Sequence, residues 1–216
     1  MKDHSISVHE RRALLEATRA LVMGHVAVLP TDTLYGLHGL ATSPGIVDKI
    51  ARLKGYESPG RPFILLAPDT ACIERYAELD AEQRGHVDAN RDRPITFIFK
   101  ALPATPRAWT SLGEDDAPRV AFRLPETPFL KELLGCLEAP LLSTSVNRAG
   151  EPPLESAEEI VKLFGDNVDL VVADSELELR VAEEGALPST LVDLTCRPPK
   201  VLREGRTPFV LTMGAT

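Results

Sequence analysis

Four stretches of this chain hold side chains whose types and spacing suit chemistry. Thr31-Asp32-Thr33 follows an apolar run that ends on Pro30. Lys54 and Arg61 flank a loop rich in glycine and proline. Ser143-Thr144-Ser145-Val146-Asn147 follows a short apolar segment and precedes Gly150. Ser189-Thr190 opens an apolar run, and Arg203 closes another. Hydroxyls, an amide and cations together suit an anionic ligand with several oxygens. Lysine offers phosphate a point charge, and arginine offers phosphate or carboxylate a bidentate fork. Open α/β sheets bind such ligands at strand carboxyl ends. Singly, each piece has an ordinary reading: Ser, Thr and Asn cap turns through the backbone, and Lys-Gly ends a helix.

The surrounding pattern supplies the elements that must position these groups. Apolar, β-branched content predicts strands over 26–29, 63–67, 95–100, 120–124, 141–145, 169–173, 190–194 and 201–203. Helices are expected over 46–53, 70–77 and 81–89, and from Thr127-Pro128 to Leu137. Ser7 to Glu10 and Ser156 to Glu159 have the spacing of capping boxes. The first box would open a helix with Leu14, Leu15, Thr18, Leu21 and Val22 on one face, ending at Gly24. Ser43 and Pro44 have the types of an N-cap and first helical residue. After residue 168, strands are expected to follow one another through loops alone. Alternation without strict βαβ order predicts a mixed, twisted sheet with helices on its faces. With no linker or repeat, residues 1–216 are expected to form a single domain.

Composition narrows the chemistry. No apolar run nears the roughly 20 residues that span a membrane, and the N-terminus lacks the apolar core of a secretion signal. Cys72, Cys136 and Cys196 are too dispersed for a disulfide framework or zinc site, so reduced thiols in a cytoplasmic protein are expected. The histidines (His4, His9, His25, His38, His86) show no ligand spacing and are expected on surfaces or loops. A net charge of −8 disfavours general attraction to nucleic acid, although a local basic concavity is compatible with it. Phosphate-loop, dinucleotide, nucleophile-elbow and zinc-helix motifs are all absent from the sequence.

In their order, the segments resemble the YrdC-like family of threonylcarbamoyl-AMP synthases. PTDTLYGL, KIARLKG, RPITFIFKA, VAFRLPETP, STSVNRAGEPP, PSTLVDLT and KVLREG are each similar to a family segment, spanning about residue 10 to 206. The resemblance implies a twisted α/β sheet with a concave ligand-binding surface. It implies a nucleotidyltransferase that joins L-threonine, bicarbonate and ATP into threonylcarbamoyl-AMP and releases pyrophosphate. A downstream complex would transfer the threonylcarbamoyl group to tRNA, with contact to double-stranded RNA also implied. By position, Thr31, Thr33, Arg123, Ser143 and Ser189 would bind threonine. Lys54, Thr96, Ser145, Asn147 and Arg203 would bind ATP, with Mg²⁺ on the triphosphate; Arg61, out of register with the family, is expected to join them at the phosphates. No protein nucleophile or protein-held metal is implied; positioning and charge stabilisation carry the reaction.

One departure stands out. The family signature is K-x-R, but here Lys54-Gly55 is followed by Tyr56, and the nearest arginine is Arg61. The segment STSV likewise stands where A-P-S-A is commoner. Three readings stay open: a short-form synthase, a YciO-like paralogue that binds RNA or nucleotide without synthase activity, and a carbamoyl-transfer relative. If Arg61 supplies the displaced cation, Arg61→Ala will lower threonine-dependent pyrophosphate release while Tyr56→Phe retains it. Full activity of Arg61→Ala rules out the compensation.

Overall fold

A computed structural model describes residues 5–56 and 63–212, so Arg61 lies outside the described residues. Along residues 26–29 the side chains alternate between two cores: Val26 and Val28 enter one, Ala27 and Leu29 the other. That is the two-residue period of a strand covered on both faces, and it sets the architecture.

In chain order the elements are β1 (Ser5–Ser7), α1 (Ala13–Val22), β2 (Ala27–Pro30), β3 (Tyr35–Leu40), α2 (Ile46–Lys54) and β4 (Ile64–Leu66). Then come α3 (Thr70–Glu74), α4 (Ala81–Ala89), β5 (Ile95–Lys100), β6 (Ser111–Leu112), β7 (Pro118–Arg123) and α5 (Pro128–Leu137). The last are β8 (Leu141–Ser145), α6 (Ala157–Phe164), β9 (Leu170–Ala173), α7 (Ser175–Glu184), β10 (Thr190–Asp193) and β11 (Lys200–Arg203). One mixed sheet runs β1-β9-β2-β3-β8-β4-β7-β5-β10-β11, with β6 beside β7. The mixed α/β sheet expected from the sequence is present.

Helices α1 and α5 cover one face. Ala13, Ala17 and Leu21 meet Leu130, Leu133 and Leu134 over Ala27, Leu29, Leu66 and Leu141. On the other face Ile46 and Ile50 of α2, Ile160 of α6 and Leu177 of α7 pack on Val28, Leu37, Leu65 and Leu142. The register carries the α1–α5 face past those helices. His38 lies opposite Ser143 and Gly36 opposite Ser145. Arg123 lies between Leu66 and Thr96, and Leu191 lies between Thr96 and Arg203. Residues paired across strands share a face. The covered half of this face is therefore apolar, and the other half presents hydroxyls and cations.

Several boundaries differ from expectation. Ser7 and Glu10 do interact, Ser7 N–H donating to Glu10 Oε1 at 3.0 Å. However, Ser7 is held in β1 by pairing with Ala173, so the motif closes a turn and α1 starts at Ala13. That helix buries Ala13, Ala17 and Leu21 and leaves Leu15 and Val22 exposed, because small residues bring it close to the sheet. Ser43-Pro44 does not start α2; Gly45, left-handed at φ 71°, is its N-cap. Strand β3 was not expected, because two glycines and a histidine dilute its β-propensity. Likewise α7 fills the segment expected to be loop between β9 and β10. Its Leu177, Leu179, Val181 alternation hides a helix in which Leu179 is exposed, and Asp174 caps it by accepting from Glu176 and Leu177 N–H. The helix expected over 70–77 ends at Glu74.

Gly39 marks where β3 and α2 touch. A Cβ there would stand 2.2 Å from Ile46 Cγ1. Gly39→Ala is expected to cost about 1–3 kcal/mol by overpacking. A urea-unfolding midpoint equal to the parent's would show that α2 gives way freely.

Candidate functional site

The uncovered half of the face forms one wall of a cleft of about 580 Å³. Three groups of residues line it. The β2–β3 turn brings Thr31 and Thr33, and the end of β8 brings Ser143, Ser145 and Asn147. From the far strands come Arg123, Ser189 and Arg203. Lys54 arrives from the opposite side of the sheet, where α2 ends beside the end of β8. Gly55, at φ 75°, terminates that helix, and the Lys54 carbonyl accepts from Ala149 N–H at 2.8 Å.

Lys54 is only 2% exposed. Its ammonium donates to the Ser145 carbonyl at 2.9 Å and to Asn147 Oδ1. Asn147 is itself fixed: Ser145 Oγ donates to its Oδ1 at 2.6 Å, and its Nδ2 donates to the carbonyls of Arg148 and Glu151. An ammonium carries three protons, so one remains after these bonds. No carboxylate forms an ion pair with Lys54 among the described residues. Burial lowers its pKa to about 8, the direction desolvation imposes on a cation.

Arg123 is held differently. Its guanidinium pairs with Asp32 and donates to Thr33 Oγ1 at 3.1 Å. Thr31 Oγ1 donates to the Leu34 carbonyl at 2.7 Å and lies 3.0 Å from Thr33 Oγ1. Thr31 Oγ1 also accepts from the N–H groups of Thr33 and Leu34, each at 3.1 Å, so its hydroxyl is used within its own turn. Thr33 is the residue that ties this turn to Arg123. Arg203 donates from Nε and Nη2 to the Ser189 carbonyl, at 3.2 and 2.8 Å. Burial first, then the nearby Arg123 charge, holds Arg203 below the usual arginine range. Two like charges therefore share one wall.

Of the residues singled out in the sequence, Thr31, Thr33, Lys54, Arg123, Ser143, Ser145, Asn147, Ser189 and Arg203 all line this cleft. Thr96 does not: although it shares the face with Arg123, it is fully buried, its Oγ1 2.8 Å from Ser189 Oγ. Tyr56 lines the cleft and packs on the core. Two histidines depart from the expected surface positions. His38 and His86 are buried, the first under the cleft wall and the second beneath Thr212, whose hydroxyl lies 2.6 Å from His86 Nδ1. Asp32 as the partner of Arg123 had no local signal, because the two lie far apart in the chain. Lys54 was legible through its place before a helix-ending glycine.

A family model described as "Telomere recombination", for the Sua5, YciO and YrdC proteins, matches residues 19–205. A threonylcarbamoyl-AMP synthase of Chromohalobacter salexigens is 31% identical over 188 residues, 84% of this chain and 92% of that protein. The uncharacterized protein YciO of Escherichia coli K12 is 29% identical over 197 residues, 91% of this chain and 90% of that one. The crystal structure of P. abyssi Sua5 complexed with L-threonine aligns with a TM-score of 0.80 at 26% identity, over 93% of this chain and 57% of that one.

The depressed lysine has a pH signature. Below about pH 8 Lys54 is an ammonium and attracts an anion; above it the free protein loses that proton. Binding of sulfate, an anion whose own charge is constant over this range, is therefore expected to be flat below pH 8 and to weaken as pH rises, by up to about tenfold per unit. Proton uptake should accompany binding near pH 8. Titration calorimetry in buffers of different ionisation enthalpy measures both, and binding that stays constant to pH 10 would exclude Lys54 as the anion contact.

Proposed function

Because this chain belongs to the Sua5/YciO/YrdC family, we propose that it is a threonylcarbamoyl-AMP synthase, using L-threonine, bicarbonate and ATP and releasing pyrophosphate. The observation that carries this reading is that one cleft holds two differently built sets of groups. One is a buried ammonium fixed by an amide and a carbonyl, with no carboxylate paired to it among the described residues. The other is Arg123, Thr33 and Ser143, donors and hydroxyls on the scale of an amino acid. The first suits phosphates and the second a small zwitterion.

In this reading the threonine amine forms a carbamate, either by adding to carbon dioxide and losing a proton or by attacking bicarbonate with loss of water. A carbamate oxygen then attacks the α-phosphate of ATP, and the bond to the β-phosphate bridging oxygen breaks as pyrophosphate leaves. Lys54 and Arg203, with Arg61, offset phosphate charge. Ser145 and Asn147 hold the nucleotide, and Thr96 acts through Ser189. Thr31, Thr33, Arg123, Ser143 and Ser189 orient threonine. Among the described residues, no three His, Cys, Asp or Glu side chains are grouped to hold a metal. Magnesium would enter with the triphosphate as part of the substrate. A downstream tRNA-modifying complex would consume the product. Contact with RNA and a cytoplasmic location go with the same reading; no helix among the described residues is long and apolar enough to cross a membrane.

A second reading, a YciO-like protein that binds nucleotide without this reaction, is favoured by Tyr56. It lines the cleft where the signature has arginine. Incubation with ATP, labelled bicarbonate and L-threonine separates the two. The synthase releases pyrophosphate only when threonine is present. In that assay Lys54→Ala should weaken ATP binding by about 1.5–3 kcal/mol, the scale of a charge-assisted hydrogen bond. ATP binding with no threonine-dependent release by the parent would leave the second reading standing.

A further inference from the structure

His38 is fully buried on the cleft face of β3, opposite Ser143 of β8. Its Nε2 lies 3.2 Å from Ser143 Oγ. Its ring lies along the strand over Gly36, where any Cβ would stand 2.5 Å from His38 Cε1. The absent side chain at Gly36 thus makes room for the imidazole directly behind the site. Burial and the Arg123 charge outweigh the Gly36 carbonyl and lower the His38 pKa to about 4, so the ring is neutral near pH 7.

A neutral imidazole has a single N–H, and its position decides what Ser143 can do. Nδ1 is buried and makes no well-aligned hydrogen bond among the described residues; apart from Ser143, the acceptor acting on the ring is the Gly36 carbonyl. A proton on Nδ1 would meet that carbonyl at best in poor alignment, whereas a buried acceptor left underused is the commoner state. Placed on Nε2, the proton makes a hydrogen bond to Ser143 Oγ. Ser143 then accepts from behind and keeps its own proton for the cleft. Ser145, two residues on and on the same face, is the opposite case: its proton is already given to Asn147 Oδ1. The neighbouring hydroxyls are thereby set to opposite polarity, one a donor and one an acceptor.

We propose that His38 is a positioning residue that sets Ser143 as a hydrogen-bond donor to the carboxylate of the amino-acid substrate. An ionised carboxylate only accepts hydrogen bonds, so a donor-set serine recognises it and an acceptor-set serine does not. The proposal rests on the amino-acid groups of the cleft described under the proposed function, and the test separates the two. Long-range proton–nitrogen correlation spectra of the free protein, labelled at histidine nitrogen, report the tautomer directly. The Nε2–H form at neutral pH is expected, and the Nδ1–H form overturns the proposal. L-Threonine binding by calorimetry then follows for the parent, His38→Phe and His38→Gln. Phenylalanine removes the donor and should weaken threonine binding roughly tenfold or more, with ATP binding unchanged. Glutamine places an amide N–H near the Nε2 position and should restore most of the affinity. Parent-like threonine binding by a folded His38→Phe overturns the proposal. So does a folded His38→Gln as weak as a cavity would make it. If the parent binds no L-threonine, the amino-acid reading of the cleft falls and the carboxylate role falls with it, while the spectra still decide the His38–Ser143 bond.

Discussion

The antiparallel pairing of β3 with β8 is the constraint on which the site depends. Its register, from Gly36 opposite Ser145 to Leu40 opposite Leu141, puts His38, Ser143 and Ser145 on one face. A slip of one residue would turn all of them into the apolar layer behind. Leu37 and Leu142 prevent it, since both are fully buried in that layer and would be turned into the cleft. The same pairing carries the β2–β3 turn to Arg123 and places the end of β8 where α2 ends. Burial of leucine on one face thus fixes hydroxyls on the other, and the core and the cleft are two sides of one register.

The cations in the cleft are held by partners of different kinds, and the difference has consequences. Arg123 meets the carboxylate of Asp32, so much of its charge is neutralised and its value lies in direction. Lys54 meets a carbonyl and an amide oxygen, which orient an ammonium without cancelling it. An uncompensated buried charge costs stability, and its depressed pKa expresses that cost. Such strain is commonly found where a protein must hold a charge ready for a ligand. Arg119 shows the structural alternative away from the cleft, where it pairs with Asp193 and Asp115. The overall charge of −8 therefore says little about this cleft, where Lys54, Arg123 and Arg203 stand among hydroxyls.

Glycine has two uses around the site. At Gly39 it allows α2 to press against β3, and at Gly36 it admits the His38 ring. Both weaken the strand by propensity and both are offset by packing that a side chain would block. That is why the strand with the weakest local signal lies at the centre of the site.

Local patterns in the sequence determined much of this protein. Runs such as 95–100 and 141–145 appear as the strands they were expected to be, because β-branched and apolar residues favour a pleated, buried ladder. The helix after Thr127 begins with Pro128 because its cap is local chemistry, Thr127 accepting from Leu130 N–H. Lys54 was visible before its glycine, and Ser143 and Ser145 were placed together by strand alternation. Tertiary structure alone decided the rest. It made β3 a strand through partners on both sides, and made α7 a helix despite alternating leucines. It moved His38 from an expected surface to full burial, buried Thr96 beside Ser189, and gave Arg123 to Asp32. Each of these depends on contacts between residues far apart in the chain. Propensity and spacing act over a few residues, whereas the register of distant strands is set by how the whole core packs.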